Sequence, residues 1–135
     1  MLKKISLFIY LCLLPSCFAI SKAETEFFET KIRPILAQNC YKCHSSTSEK
    51  VKGKLLLDNK AASLKGGETG PAIVPGDLEN SLLFKSITYK DSELKMPPSG
   101  RLPESVIKDF QTWIKMGAPD PREGQAKVAV GRKLF

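Results

Sequence analysis

The stretch Cys40-Tyr41-Lys42-Cys43-His44 holds two cysteines three positions apart and a histidine directly after the second. On a helical turn, side chains at this spacing lie on one face. The two thiols can then form thioether bonds to the vinyl groups of a porphyrin, while the imidazole reaches the iron from the same side. The Cys-x-x-Cys-His pattern therefore predicts covalent attachment of one haem c through Cys40 and Cys43, with His44 as the proximal iron ligand.

Two other uses of this motif need features that the sequence lacks. A structural zinc site takes four ligands, usually with a second Cys or His pair, and the chain has one histidine. A thioredoxin-like redox pair is expected beside a βαβ pattern, and it has no need of His44. The motif therefore favours haem over both.

A low-spin electron carrier needs a sixth iron ligand, and without a second histidine the candidates are methionine thioethers. Met96 precedes Pro97-Pro98, and a residue before proline is held in extended geometry, so a stiff loop would present its sulfur. Met116 ends the C-terminal helix, where methionine usually fills gaps in packing. The sequence therefore predicts His44 and Met96 as the iron ligands. For the His44 ring nitrogen that faces away from iron, the predicted acceptor is the carbonyl of Pro71.

The amino terminus has the pattern of a secretory signal. Two lysines precede an apolar run over residues 5–14, and Ser21-Lys22-Ala23 offers a cleavage site. The apolar segment is shorter than the ~20 residues that span a membrane, and Pro15 interrupts it. We therefore predict a signal peptide over residues 1–23 and export to the periplasm or another compartment outside the cytoplasm.

An alternative interpretation makes the protein a lipoprotein. Leu14-Pro15-Ser16-Cys17 would then be the cleavage site, with Cys17 acylated as the only membrane anchor. The proline before Ser16 is unusual for such a site. Either signal sends the domain across a membrane.

The charge pattern bears on partners. Removal of residues 1–23 takes away three lysines and no acid, which lowers the formal net charge of +7 to +4. Nucleic-acid-binding proteins usually concentrate positive charge on one face, whereas here acidic residues alternate with the lysines. We therefore expect no nucleic-acid partner. A mildly basic surface suits an acidic redox partner protein.

Hydrophobic periodicity predicts one mostly α-helical domain over residues 24–122. A first helix is predicted over residues 24–38, and Pro34 must kink or restart it. The last helix is predicted to start at Pro103 and to stop at Gly117, with Phe110 and Trp113 packed in the core against the first helix.

The middle of the domain has a weaker pattern. Residues 54–57 and 72–74 could pair as a short β-hairpin, and Asp58 or Asn59 could cap one helical turn. Asp77 is predicted to cap the next helix. Two smaller expectations are that Tyr41 and Lys42 are exposed between the anchoring cysteines, and that residues 123–135 form a C-terminal tail.

Several segments of the chain together form a recognisable pattern. They are residues 27–36, 40–44, 66–68, 70–77, 95–98 (Lys-Met-Pro-Pro), 113–114 and 117–119 (Gly-Ala-Pro). Together they resemble the planctomycete-type cytochrome c domain. The resemblance covers about residues 24–122 and joins its segments in order, so it is more specific than the haem motif alone.

This resemblance implies a cytochrome c-like fold of about four to five helices around one haem, with His44 and Met96 as axial ligands. In that family the domain often stands at the start of much longer proteins. A free carrier, a subunit and a shortened version of a larger protein therefore all stay open.

Three functional hypotheses follow. The first is an electron carrier that is not an enzyme, with iron cycling between its ferrous and ferric states. The second is a haem enzyme or ligand sensor, such as a peroxidase, with Met96 absent or displaced from the iron; it would need a distal acid-base group, and the sequence offers no clear one. The third is an assembly module that has lost haem.

Overall fold

The computed structural model describes residues 19–124. Cys17, most of the predicted signal peptide and residues 125–135 of the predicted tail lie outside them. In this range the domain is mostly α-helical, as predicted, and short 3-10 turns connect the helices. The helices are α1 (Lys22–Phe27), α2 (Arg33–Asn39), α3 (Lys60–Lys65), α4 (Leu82–Thr88) and α5 (Glu104–Lys115). None of the helices in residues 19–124 has the length and apolar character needed to cross a membrane.

The amino-terminal helical stretch changes from α-helix to π-helix and back to α-helix. Ser21 caps α1 by accepting from the amide of Glu24 at 3.2 Å, and a π-helical segment, Phe28–Ile32, joins α1 to α2. Pro34 lies in the first turn of α2, where a missing N–H leaves no hydrogen bond unmade. The prediction that Pro34 kinks or restarts this helix is confirmed.

The core forms where the π-helical segment packs on α5. Phe28 is fully buried and its ring centre lies 5.7 Å from that of Trp113, while Phe110 meets Trp113 edge-on at 6.1 Å. The indole N–H of Trp113 donates to the carbonyl of Pro119 at 2.9 Å, which satisfies its one polar group inside the core. The predicted core positions of Phe110 and Trp113 are confirmed.

The predicted β-hairpin of residues 54–57 and 72–74 is wrong. Among the described residues, β-pairing is limited to two isolated bridges, Gly67 with Gly70 and Val74 with Asp77. The hairpin does not form because backbone amides of both segments have other acceptors. These bonds are Leu57 N–H to the His44 carbonyl at 2.8 Å, Ile73 N–H to the Ser63 carbonyl at 3.2 Å and Val74 N–H to Ser81 Oγ at 2.9 Å.

The helix caps in the middle of the chain are partly as predicted. Asn59 caps α3 by accepting from the amide of Ala62 at 2.8 Å. Asp77 instead accepts from the amide of Asn80 at 3.0 Å, and α4 starts only after Ser81. Asp77 therefore closes a turn that precedes the helix, so its predicted cap is wrong.

Candidate functional site

The two cysteines and the histidine of the motif share one turn, residues 40–44, which we call the anchor turn. It follows α2 directly, because the amide of Cys40 still donates to the carbonyl of Leu36 at 2.9 Å. The amide of Cys43 donates to the carbonyl of Cys40 at 3.1 Å, and that of His44 donates to the same carbonyl at 2.9 Å. Both thiols are free and half-buried. The structure thus brings Cys40, Cys43 and His44 together as the sequence predicts.

The imidazole of His44 is oriented by the backbone of the following loop. Its Nδ1 lies 3.1 Å from the carbonyl oxygen of Lys52. Because a carbonyl can only accept, Nδ1 carries the proton and the lone pair of Nε2 stays free to bind a metal. The loop reaches this position because the amide of Lys52 donates to the carbonyl of Cys43 at 3.0 Å.

The predicted acceptor for His44, the carbonyl of Pro71, is therefore corrected to that of Lys52. Pro71 precedes α4, and its carbonyl accepts from the amide of Leu82 at 3.4 Å. Sequence reasoning missed Lys52 because nothing in the spacing of residues 45–52 shows that this loop folds back onto the motif.

The environment of Cys40 disfavours a thioredoxin-like redox pair. Burial raises the pKa of the Cys40 thiol to about 11. Redox-active Cys-x-x-Cys pairs depend on a lowered thiol pKa, since the thiolate is the reactive species. The raised pKa of Cys40 is opposite to the shift that would activate such a pair.

A zinc site finds no support in the described part of the chain. Among residues 19–124, no three His, Cys, Asp or Glu side chains cluster in a way that could hold a metal ion. The donor set of the anchor turn, two thiols and one imidazole with a free Nε2, would instead suit a haem attached through sulfur with the imidazole as an iron ligand.

Met96 lies on a separate loop that hydrogen bonds join to Ser86 of α4 and to Tyr89, the residue after α4. The amide of Met96 donates to the carbonyl of Ser86 at 3.1 Å, and the Tyr89 hydroxyl donates to the carbonyl of Pro97. The side chain of Met96 itself is 43% exposed. Hydrogen bonds to the main chain of Met96 and Pro97 therefore restrain the backbone that carries this thioether.

Met116, the other methionine considered as a ligand, does not pack as expected. It caps the end of α5, where its amide donates to the carbonyl of Thr112 at 3.0 Å. Met116 is 39% exposed, so it fills no gap in the core. The expectation of a packing role is wrong, because this residue after α5 lies at the surface.

Tyr41 is half-buried, which corrects the expectation that it is exposed, whereas Lys42 is exposed as expected. The Tyr41 hydroxyl accepts from Nη1 of Arg122 at 2.7 Å. Burial raises the pKa of Tyr41 and Arg122 opposes the shift. Sequence reasoning missed Arg122 and its partner Asp120. The available signal was an acid and an arginine two positions apart, directly after the stop of the last helix.

Comparison with known families agrees with the resemblance seen in the sequence. Residues 40–100 match the family model described as planctomycete cytochrome C. This segment starts at Cys40 and includes His44, Pro71 and Met96. The recognition of a planctomycete-type cytochrome c domain is thus confirmed over these residues. No curated protein and no solved structure matches the chain.

Proposed function

We propose that this chain, with its planctomycete cytochrome C segment, is an exported c-type cytochrome that binds one haem covalently and transfers single electrons. The observation that carries the proposal is the anchor turn. Two free thiols and an imidazole with an available Nε2 lie in one turn, and residues 40–100 match a cytochrome c family.

Each residue of the anchor turn has a distinct role in this proposal. Cys40 and Cys43 would tether the macrocycle, and Nε2 of His44 would bind its iron. The bound haem would supply one-electron chemistry. The carbonyl of Lys52 accepts from Nδ1, which fixes the ring orientation and leaves Nε2 available to the iron.

Met96 is the proposed distal ligand. A thioether favours the reduced iron and raises its reduction potential. The two hydrogen bonds that join the Met96 loop to Ser86 and Tyr89 support this role, because they reduce the conformational freedom that a ligand would lose on binding. Met116 has no equivalent loop, since it ends a helix.

Replacement of Met96 tests the ligand assignment. In the ferric state, a methionine-ligated haem has a weak near-infrared sulfur-to-iron band, and we expect Met96→Ala to abolish this band and to lower the reduction potential. Met116→Ala is the matched control, because it removes a thioether of similar exposure, and it should leave the band unchanged. Absorption spectra of protein matured with its haem-attachment machinery provide the measurement.

Two results would contradict the assignment. Loss of the band in Met116→Ala alone would move the ligand to Met116. A wild-type protein with a high-spin spectrum that shifts with cyanide would instead indicate an open site, which is the spectrum of the haem enzyme or sensor.

Export is the second part of the proposal. Covalent haem attachment of this kind takes place outside the cytoplasm, so the signal proposed for residues 1–23 and the anchor turn support each other. A lipid on Cys17 would keep the same domain at the membrane surface. In both cases the mature domain would work in the periplasm or an equivalent compartment.

An acidic redox protein is the proposed partner. Lys42, within the anchor turn, and Lys50 and Lys52, in the loop that returns to it, are all exposed. Their positive charge lies beside the proposed site of haem attachment, where a partner's cofactor would have to approach. Complementary charge mainly increases the rate of encounter.

Charge reversal at Lys42 tests the proposed partner chemistry. We expect Lys42→Glu to slow oxidation of the reduced protein by ferricyanide, an anion, by about threefold at low salt. Lys108→Glu is the control, since Lys108 is exposed on α5. Stopped-flow rates at rising ionic strength should converge as salt screens the charges. Equal slowing by Lys108→Glu would show an effect of net charge and not of this surface.

A further inference from the structure

A buried ion pair lies at the carboxyl end of the described residues. The side chains of Asp120 and Arg122 are each 3% exposed, and their closest atoms are 2.5 Å apart. Arg122 Nε also donates to Asp120 at 2.8 Å, so the carboxylate binds one edge of the guanidinium. The guanidinium carbon Cζ of Arg122 lies 4.9 Å from the ring centre of Phe28. Such burial is costly unless every charge is well partnered, so this pair has a defined orientation.

The other edge of the guanidinium contacts the anchor turn and Leu57, a residue that hydrogen-bonds to that turn. Nη1 of Arg122 donates to the Tyr41 hydroxyl at 2.7 Å and to the carbonyl of Leu57 at 2.6 Å. Tyr41 lies between the two cysteines in the chain. Leu57 restrains the backbone of His44, because its amide donates to the main-chain carbonyl of that residue at 2.8 Å. One arginine therefore bonds both to the anchor turn and to the residue that bonds His44.

The backbone of Tyr41 is already held by local contacts. Its amide donates to the carbonyl of Leu36 at 3.0 Å. Its carbonyl accepts from the hydroxyls of Ser45 at 2.7 Å and Ser48 at 2.9 Å. The bond from Arg122 adds a long-range restraint on the Tyr41 side chain, and it connects the anchor turn to a residue 81 positions further along the chain.

We propose that Arg122, aligned by Asp120, is a positioning residue that holds the anchor turn through Tyr41 and Leu57 and so fixes the backbone that carries the proximal ligand His44. This inference rests on the proposed function, because it assigns a role toward the haem ligand. It goes further by giving the carboxyl-terminal segment a part in setting the properties of the site.

Two variants that keep the net charge test the proposal in the haem-loaded protein. Tyr41→Phe removes only the hydroxyl that accepts from Arg122. Arg122→Lys keeps the positive charge but loses the planar fork that reaches Asp120 and the anchor turn together. In both we expect a lower reduction potential than in the wild type and a broadened low-spin electron paramagnetic resonance signal, since the His44 ring would sample several orientations.

A core variant separates positioning from stability. Ile107→Ala removes a buried side chain of α5 that contributes none of the hydrogen bonds above, and it should lower the unfolding temperature while leaving the potential and the resonance signal unchanged. If Tyr41→Phe and Arg122→Lys also change only the unfolding temperature, or if Ile107→Ala changes the potential equally, the positioning role is refuted.

The proposal stays testable if one variant fails to mature, because Tyr41→Phe is a minimal change. Failure of the inference is also distinct from failure of the proposed function. A wild-type protein with a normal c-type spectrum and insensitive variants would refute only the role of Arg122. A wild-type protein without attached haem would refute the proposed function itself.

Discussion

Serine at both Cys40 and Cys43 should abolish haem staining of the protein after denaturing electrophoresis. Denaturation releases a haem that is held only by iron ligation, whereas thioether bonds survive it. Both thiols are free in the structure and lie in the turn that ends with His44. The intact protein should therefore gain the mass of one haem, and the double variant should gain none.

A cysteine outside the motif provides the control. Cys12→Ser changes a cysteine in the proposed signal segment, so it should leave both the staining and the mass of the mature protein unchanged. The prediction is contradicted if the double variant keeps its stain. It is also contradicted if the wild-type protein, matured with its own machinery, shows two free thiols and no added tetrapyrrole.

The second large effect, on the free energy of unfolding, is expected on replacement of Asp120. Asp120→Asn leaves Arg122 buried without its charge partner, and breaking a buried pair in this way should lower the free energy of unfolding by about 3–5 kcal/mol. The carboxylate now receives both Nε and Nη2 of Arg122, and a neutral amide cannot accept both bonds with the same strength. Denaturant unfolding of the haem-loaded protein gives the measurement.

An exposed ion pair gives the matched comparison. Arg101 and Glu104 approach to 2.7 Å, but their side chains are 42% and 77% exposed. Glu104→Gln should therefore cost only about 0–1 kcal/mol, because water solvates both charges once the pair is broken. If Asp120→Asn costs no more than Glu104→Gln, the pair of Asp120 and Arg122 is not the buried restraint that the geometry indicates.

The chemistry-bearing features that the sequence predicted are local ones. Cys40, Cys43 and His44 fall within five consecutive residues, so any turn-like backbone brings them together. The helix that contains Phe110 and Trp113 follows from periodicity, since each residue's face is set by its distance along the same helix. Pro34 acts through its own ring and its missing donor, so its effect on the first helix could also be read directly.

Contacts between loops could not be predicted in the same way. Residues 54–57 were interpreted as a strand because they are apolar. The amide of Leu57 instead donates to the carbonyl of His44, and this bond depends on the path of the loop after the motif. Pro71 and Lys52 both offer a carbonyl, and spacing alone does not distinguish them. Tyr41 looked exposed because its partner, Arg122, is remote in sequence.

The sequence by itself determined where the thiols and the imidazole stand relative to one another, because covalent spacing and one helical turn set those distances. Only the tertiary structure decided which carbonyl orients His44 and which charge bonds to Tyr41. The physical reason is that hydrogen bonds between remote segments depend on the path of the whole chain. The partners of a buried arginine are set by the groups that packing brings next to it.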